Sequence, residues 1–276
     1  MTRMRLTRWL ISLSCLLALL LTSYILFPSK AEAQYNLRQE VEKALQQLKS
    51  IILGKRGVGV STNRDHGAVR DPDLCPPARP SLTALVPNLD EPVMTSEVHP
   101  AFWFYIPFEL TDDFEKFTLR FVLQDEENND IYQTAFRMPN ETLSPGILSL
   151  RLQSQKAALE IGKTYRWYFL IYCDDPQGRY EPAFVEGLIR REALGRNLRI
   201  ELDQAVLQER FMVYVNAETL FWYDILAALA EARQTYPDNS SLTNAWSEIL
   251  EIIDLDDVKD EPIIGQYYVP SRIDIN

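Results

Sequence analysis

The chain has 276 residues, of which 46% are hydrophobic and 24% charged, and this composition excludes a wholly disordered or fibrous protein. Twenty-eight basic and 39 acidic residues give a formal net charge of −11, which argues against an unaided nucleic-acid binder. With three cysteines and two histidines, a disulfide-dense small scaffold and a histidine-rich metal site are also excluded.

The first 33 residues are predicted to be a secretory signal peptide. Basic residues precede an apolar run over residues 9–27, and the small-residue sequence Ala31-Glu32-Ala33 follows. This order predicts cleavage after Ala33 and export to the periplasm or the extracellular space. The alternative is an uncleaved anchor in the inner membrane, because residues 9–27 approach the length that spans a bilayer.

Export changes the interpretation of the cysteines. Cys15 leaves with the signal peptide, so that Cys75 and Cys173 remain as an even pair in an oxidising compartment. We therefore predict a disulfide bond between them, the alternative being two independent thiols. Two lone cysteines without nearby partners do not make a zinc site.

Residues 34–74 are predicted to form an amphipathic helix and a flexible linker. Between residues 35 and 53, apolar residues recur at steps of three and four, and Gly54 follows. Such a helix suits docking on a partner or membrane surface, but we favour a helix packed on its own domain. Residues 54–74 are rich in glycine and show no periodicity.

From residue 82 to residue 192 the hydrophobic period is two, which is typical of strands. The predicted strands are 82–86, 98–106, 117–124, 130–137, 147–152, 163–173 and 183–191. Seven short strands with no helix between them predict a β-rich domain over residues 75–195. We expect a seven-strand antiparallel β-sandwich of the immunoglobulin-like kind.

The remaining chain, residues 196–262, is predicted to be a small helical unit. Helices are expected over 203–215, over 217–232 with Asn216 as the cap, and over 241–253. Because the second helix is apolar on nearly all sides, it should pack between its neighbouring helices and the sheet. The order of helices resembles one and a half tetratricopeptide repeats. Residues 263–276 are expected to be a loose tail.

No sequence motif for catalysis, phosphate binding or metal binding is present. His66 falls in the predicted linker, and His99 precedes a proline at a strand start, where a structural or surface role is expected. The acidic stretches at residues 125–130 and 254–261 contain oxygens that suit calcium, but they lack the EF-hand pattern. We favour charged surfaces for both stretches, and we predict no catalytic residue, no metal and no cofactor.

Four aromatic residues on two predicted central strands form a possible binding surface: Trp103, Tyr105, Trp167 and Tyr168. If exposed, they suit stacking on sugar rings or on a protein partner. If buried, they belong to the core of the β domain, which is the interpretation we favour because both strands look central.

Seven parts of the chain resemble the cyanobacterial domain-of-unknown-function family 928. They are Leu82–Pro87, Pro100–Pro107, Phe121–Glu126, Tyr165–Phe169, Cys173, Phe184–Gly187 and Trp222–Asp224. The similarity covers roughly residues 75–262, in order. It implies an exported cyanobacterial protein, and it brings no catalytic residues.

The expected function is that of an interaction or structural module of the cell envelope, without enzymatic activity. Its expected partner is a protein or an envelope polysaccharide, not a nucleic acid. The alternative is a carbohydrate-binding or carbohydrate-active protein that uses two acids beside an aromatic surface. Acids considered for that role are Glu109, Asp112, Asp113 and Glu186.

Overall fold

The computed structural model describes residues 30–55, 79–109, 117–136, 144–173 and 182–269, with side chains from residue 35 onward. The chain divides into two units, Met1–Lys43 and Ala44–Asn276. The predicted signal peptide, the linker with His66 and Cys75, and residues 270–276 lie outside the described residues.

The predicted N-terminal helix is confirmed. Helix α1 spans Lys30–Lys55 and therefore begins in the first unit and ends in the second. In the Ala44–Asn276 unit, Leu45, Leu48 and Ile52 are almost completely buried. This burial favours the interpretation in which the helix packs on its own domain.

The described residues form nine strands, and each predicted strand has a counterpart among them. They are β1 (Thr83–Ala84), β2 (Val93–Thr95), β3 (Ala101–Ile106), β4 (Phe117–Gln124), β5 (Asp130–Phe136), β6 (Gly146–Leu152), β7 (Thr164–Cys173), β8 (Ala183–Arg191) and β9 (Ile263–Val269). The fold is a mixture of α and β structure with two sheets.

The prediction of seven purely antiparallel strands is wrong. One sheet has the order β1-β3-β6-β9 and the other the order β2-β8-β7-β4-β5, and the pairs β6–β9 and β2–β8 are parallel. Strand β2 has only three residues, which is too short to show a period. Strand β9 lies in the segment expected to be a loose tail, where it extends the first sheet by pairing with the edge of β6.

Aromatic side chains fill the space between the two sheets. Phe102 and Phe104 of β3 face the other sheet, where Phe104 stacks on Phe169 with ring centroids 4.3 Å apart. Phe102 lies 4.8 Å from Phe121, and both phenylalanines of β3 contact Trp167 edge-on. Large buried rings of this kind contribute most to the stability of a core.

Four further helices follow the strands: α2 (Arg196–Gln204), α3 (Arg210–Val215), α4 (Trp222–Thr235) and α5 (Ser240–Ile252). The single helix predicted over 203–215 is wrong, because Ala205 adopts an extended conformation and separates α2 from α3. Asn216 is the C-cap of α3 rather than the N-cap of the next helix, since its N–H bonds the carbonyls of Met212 and Tyr214.

The predicted position of the apolar helix is confirmed. Helix α4 contacts α3 and α5 on one side and strands β2 and β3 on the other. In tetratricopeptide arrays a helix pair contacts only its neighbours in the array, whereas α4 also covers the β structure. Among the residues that the structure describes, no helix is both long enough and apolar enough to cross a membrane.

Candidate functional site

Three consecutive residues at the start of α4 fix this helix to the β structure. Trp222 Nε1 donates to the Leu85 carbonyl after β1 at 2.8 Å, and Trp167 Nε1 of β7 donates to the Tyr223 hydroxyl at 2.9 Å. The Asp224 carboxylate accepts from the N–H of Ser96, just after β2, at 3.1 and 3.2 Å, and also from the Ser96 hydroxyl. These bonds join the start of α4 to both sheets. Further along the helix, Ala227, Ala228, Glu231 and Gln234 lie beside the face of the β1-β3-β6-β9 sheet that carries Ala101 and Trp103 of β3.

A cleft lies where α3 and α4 meet that sheet face. Its floor consists of two rows of directly paired residues, Ala101–Arg151–Tyr268 and Trp103–Ser149–Gln266, that run across β3, β6 and β9. Residues paired in this way project on the same side of a sheet. All of them except Ser149 line the cleft.

The opposite wall of the cleft comes from α3, α4 and the residue after Ser96. The cleft has a volume of about 430 Å³, and the wall residues are Glu97, Arg210, Tyr214, Asp224, Ala227, Ala228, Glu231 and Gln234. Space is available because the short side chain of Ala101 faces the alanines of α4. A cleft of this volume is within the range that small-molecule sites occupy.

Charged groups of both signs open onto the cleft. Arg151 donates through Nη1 to the His99 carbonyl at 2.5 Å, while Arg210, Glu97 and Glu231 are exposed. None of the ion pairs found among the described residues includes any of these four side chains. The charged ends of Arg210, Glu97 and Glu231 are therefore available to a ligand, whereas Arg151 is engaged in part by the His99 carbonyl.

Asp224 differs from the other acids because its side chain is buried. Burial raises the pKa of Asp224 to about 6, although the hydrogen bonds from Ser96 and Thr95 act in the opposite direction. Burial, followed by the nearby Asp224 charge, raises the pKa of Tyr214 to about 12. Asp224 thus carries a proton at a mildly acidic pH at which an exposed aspartate is ionised.

One side chain of the floor has an unsatisfied donor. The Nε1 atom of Trp103 is buried and has no acceptor among the residues that the structure describes. The ring of Trp103 meets that of Trp246 edge-on, with centroids 5.5 Å apart, and the Arg233 guanidinium lies over Trp246. A buried donor without an acceptor is costly, so the contact between Trp103 and α5 includes one destabilising group.

The four aromatic residues predicted as a binding surface occupy different environments. Trp103, Tyr105 and Trp167 are buried, with 3%, 4% and 1% of their surface exposed, which agrees with the core interpretation. Tyr168 is half-buried on the other sheet, beside the ion pair between Arg166 and Glu186. Only Trp103 lines the cleft.

Two of the acids considered for carbohydrate chemistry, Glu109 and Glu186, are described by the structure and do not line the cleft. Glu109 is exposed beyond the end of β3, and Glu186 forms its ion pair with Arg166 at 3.1 Å. Asp112 and Asp113 lie outside the described residues. The carboxylates that do line the cleft come from other positions in the sequence.

The two other candidates from the sequence, His99 and the acidic turn at residues 125–130, have surroundings that are typical of structural residues. His99 is half-buried, and burial together with the Arg151 charge lowers its pKa. Asp125 accepts hydrogen bonds from Glu127 and Asn129 within its own turn, which lowers its pKa. Within the described residues, no three histidine, cysteine or acidic side chains are grouped so that they could hold a metal ion.

A second and larger depression, of about 540 Å³, lies between Lys49 and Leu53 of α1 and the end of α5. Its acidic rim is already engaged in part, because Glu251 pairs with Lys259. Among the described residues that line this depression, no buried side-chain donor or acceptor lacks a partner. The smaller cleft is therefore the stronger candidate site.

A family model described as Domain of Unknown Function (DUF928) matches residues 65–263. The chain belongs to this family. No curated protein matches the sequence. The matched residues include every segment that resembles the family. In this DUF928 protein, two of those segments have a clear structural role. Pro100–Pro107 contains β3 with Trp103, and Trp222–Asp224 fixes α4 to the sheets.

Sequence reasoning missed most of the residues that line the cleft. One signal was present for Asp224, which is a lone acid within an otherwise apolar stretch of a DUF928 helix and is expensive to bury without partners. No comparable signal marked Arg151, Arg210 or Gln266. They come from three separate elements, and only the pairing of β6 with β9 places two of them on one face.

Proposed function

We propose that this DUF928 protein is an exported interaction module of the cell envelope that binds its ligand in the cleft between α3, α4 and the sheet face of β3, β6 and β9. The supporting observation is that charged side chains of both signs and the exposed ring of Tyr268 line one cleft. Among the described residues, Arg210, Glu97 and Glu231 of this cleft take part in none of the ion pairs found. Sites of this kind recognise polar ligands through a few fixed groups.

The proposal assigns binding rather than catalysis to the cleft. A glycosidase needs two carboxyl groups that face the scissile bond. The Asp224 carboxylate instead accepts both the N–H and the hydroxyl of Ser96. Its role in this proposal is to hold the segment that carries Glu97 against the cleft.

The proposal also includes the features expected from the sequence. The two facing sheets act as a β-sandwich scaffold, and residues 1–33 direct export in a cyanobacterium. A bridge between Cys75 and Cys173 ties the start of the β structure to β7, where Cys173 is buried. A stable scaffold of this kind keeps the cleft residues in place outside the cell.

The test compares the full chain with a variant in which the cleft is filled. Ala227 is half-buried on the wall of the cleft, so Ala227→Trp should occupy the space that a ligand needs. Both proteins are immobilised and exposed to envelope extract, and the retained material is analysed by mass spectrometry. We expect one component to be retained by the unsubstituted chain and lost with Ala227→Trp.

The matched control is Ala135→Trp, because Ala135 is also half-buried but lies on β5, in the other sheet. It should retain the same component as the unsubstituted chain. Equal retention by the unsubstituted chain and Ala227→Trp would contradict a binding function for the cleft.

A further inference from the structure

The groups that line the cleft restrict the chemistry of its ligand, and this inference rests on the proposed function. We infer that the ligand is an uncharged oligosaccharide, which stacks on Tyr268 and bonds through its hydroxyl groups to the polar side chains around that ring.

The cleft has no excess of positive charge. Arg151 and Arg210 face Glu97 and Glu231, and Asp224 adds a third acid to the lining. A site for an anionic ligand presents an excess of cationic donors, often in bidentate geometry. This cleft has no such excess, so its side chains do not favour an anionic ligand.

The same groups match the hydrogen bonding of hydroxyl groups. A hydroxyl both donates and accepts, so neighbouring hydroxyls of a sugar need donors and acceptors close together. Arginine supplies donors, glutamate supplies acceptors, and the amides of Gln234 and Gln266 supply both.

The floor provides an exposed aromatic surface. Tyr268 has 49% of its surface exposed and lies in the row of Arg151, beside the row of Trp103 and Gln266. An exposed aromatic ring with polar side chains beside it suits stacking against a sugar ring.

The first experiment probes the full chain on an array of oligosaccharides. The array contains neutral oligomers of glucose, mannose and N-acetylglucosamine, together with oligomers of uronic acids and sulfated sugars. We expect at least one neutral oligomer to bind and the anionic oligomers to bind more weakly. Binding of no neutral oligomer, or a preference for the anionic ones, would overturn the inference.

The second experiment locates the bound oligomer by titration calorimetry. Tyr268→Ala and Gln266→Ala change exposed side chains, so both variants should fold, and each should weaken binding about tenfold through loss of stacking or of a hydrogen bond. Tyr236→Ala is the matched control, because Tyr236 has a similar exposure of 40% and lies outside the cleft. Equal affinity of Tyr268→Ala and Tyr236→Ala would contradict the assignment.

The two proposals fail in different ways. If no oligosaccharide binds but Ala227→Trp still abolishes retention of an envelope protein, the cleft is a binding site and the ligand class is wrong. If an oligosaccharide binds equally to the unsubstituted chain and to Ala227→Trp, the cleft itself is not the site and both proposals are overturned.

Discussion

Asp224 should make the stability of the protein depend on pH, and Asp224→Asn should remove that dependence. The side chain is buried in the first turn of α4, and its burial raises the pKa from 3.8 to about 6. The folded protein therefore holds this proton more tightly than the unfolded chain does. A difference of about two pKa units corresponds to roughly 3 kcal/mol at about 1.4 kcal/mol per unit.

The sign follows from the raised pKa. The contribution of protonated Asp224 to the free energy of unfolding is fully present below the unfolded pKa of 3.8, and it is lost as the pH rises through about 6. Asparagine does not titrate. The free energy of unfolding of Asp224→Asn, relative to that of the unsubstituted chain, should therefore rise by roughly 3 kcal/mol between about pH 4 and pH 7.

The assay is urea-induced unfolding at several pH values across this window, followed by tryptophan fluorescence. Two other titratable groups face Asp224, namely Glu97 and Tyr214. Both are retained in the variant, and the raised pKa of Tyr214 keeps it protonated throughout the window. Asp203→Asn changes an exposed aspartate on α2 and serves as the control. If Asp224→Asn and Asp203→Asn gave the same pH profile, the reasoning would be refuted.

The other predictions concern the core and the cysteines. Gly187→Ala should lower the free energy of unfolding by about 1–3 kcal/mol, because a Cβ at Gly187 would lie 2.5 Å from the Trp167 ring; chemical denaturation measures this. Tyr223→Phe should cost about 1–3 kcal/mol, since it leaves the buried Trp167 Nε1 without its acceptor, and the tryptophan fluorescence should change as well. If Cys75→Ser and Cys173→Ser remove one shared cross-link, each should lower the free energy of unfolding by roughly 2–5 kcal/mol. The double variant should then be only slightly less stable than either single variant.

Each of these predictions has a control or a contrary outcome. A Cβ at Gly54 of α1 would have no atom within 4 Å, so Gly54→Ala should leave the free energy of unfolding unchanged or raise it slightly. An equal decrease of that free energy in both glycine variants would argue against overpacking at Gly187. Tyr236→Phe changes an exposed tyrosine and should leave stability unchanged. Strictly additive costs of the two cysteine substitutions would show that each thiol packs independently.

The sequence was sufficient where a hydrophobic period was long. Strand β4 alternates apolar and polar residues over most of its length, and its register partner β7 places Tyr165, Trp167, Phe169 and Ile171 at every second position. Both strands are therefore predicted close to their observed bounds. Helix α5 was also predicted within one residue at each end, because Asn239 is an N-cap whose side chain accepts from the N–H of Ser241. Local patterns determined these elements.

The sequence was insufficient where pairing or packing decides the structure. Strand β9 forms because the edge of β6 is available to it, which no local pattern reports. The predicted start of α4 is five residues too early: residues 217–221 contain no glycine or proline that would mark a break, but they form bends rather than the first turn of the helix. The cleft depends on β9 and on this segment, so its residues could not be brought together from the sequence.

Hydrogen–deuterium exchange tests the central claim most directly, because it locates the ligand on the protein. Exchange of the full chain is measured with and without the envelope component that it retains. We predict slower exchange in the segments that line the cleft, which are residues 97–103, 210–214, 224–234 and 266–268. Slower exchange confined to residues 49–53 and 244–256, around the depression between α1 and α5, would contradict the assignment of the cleft as the binding site.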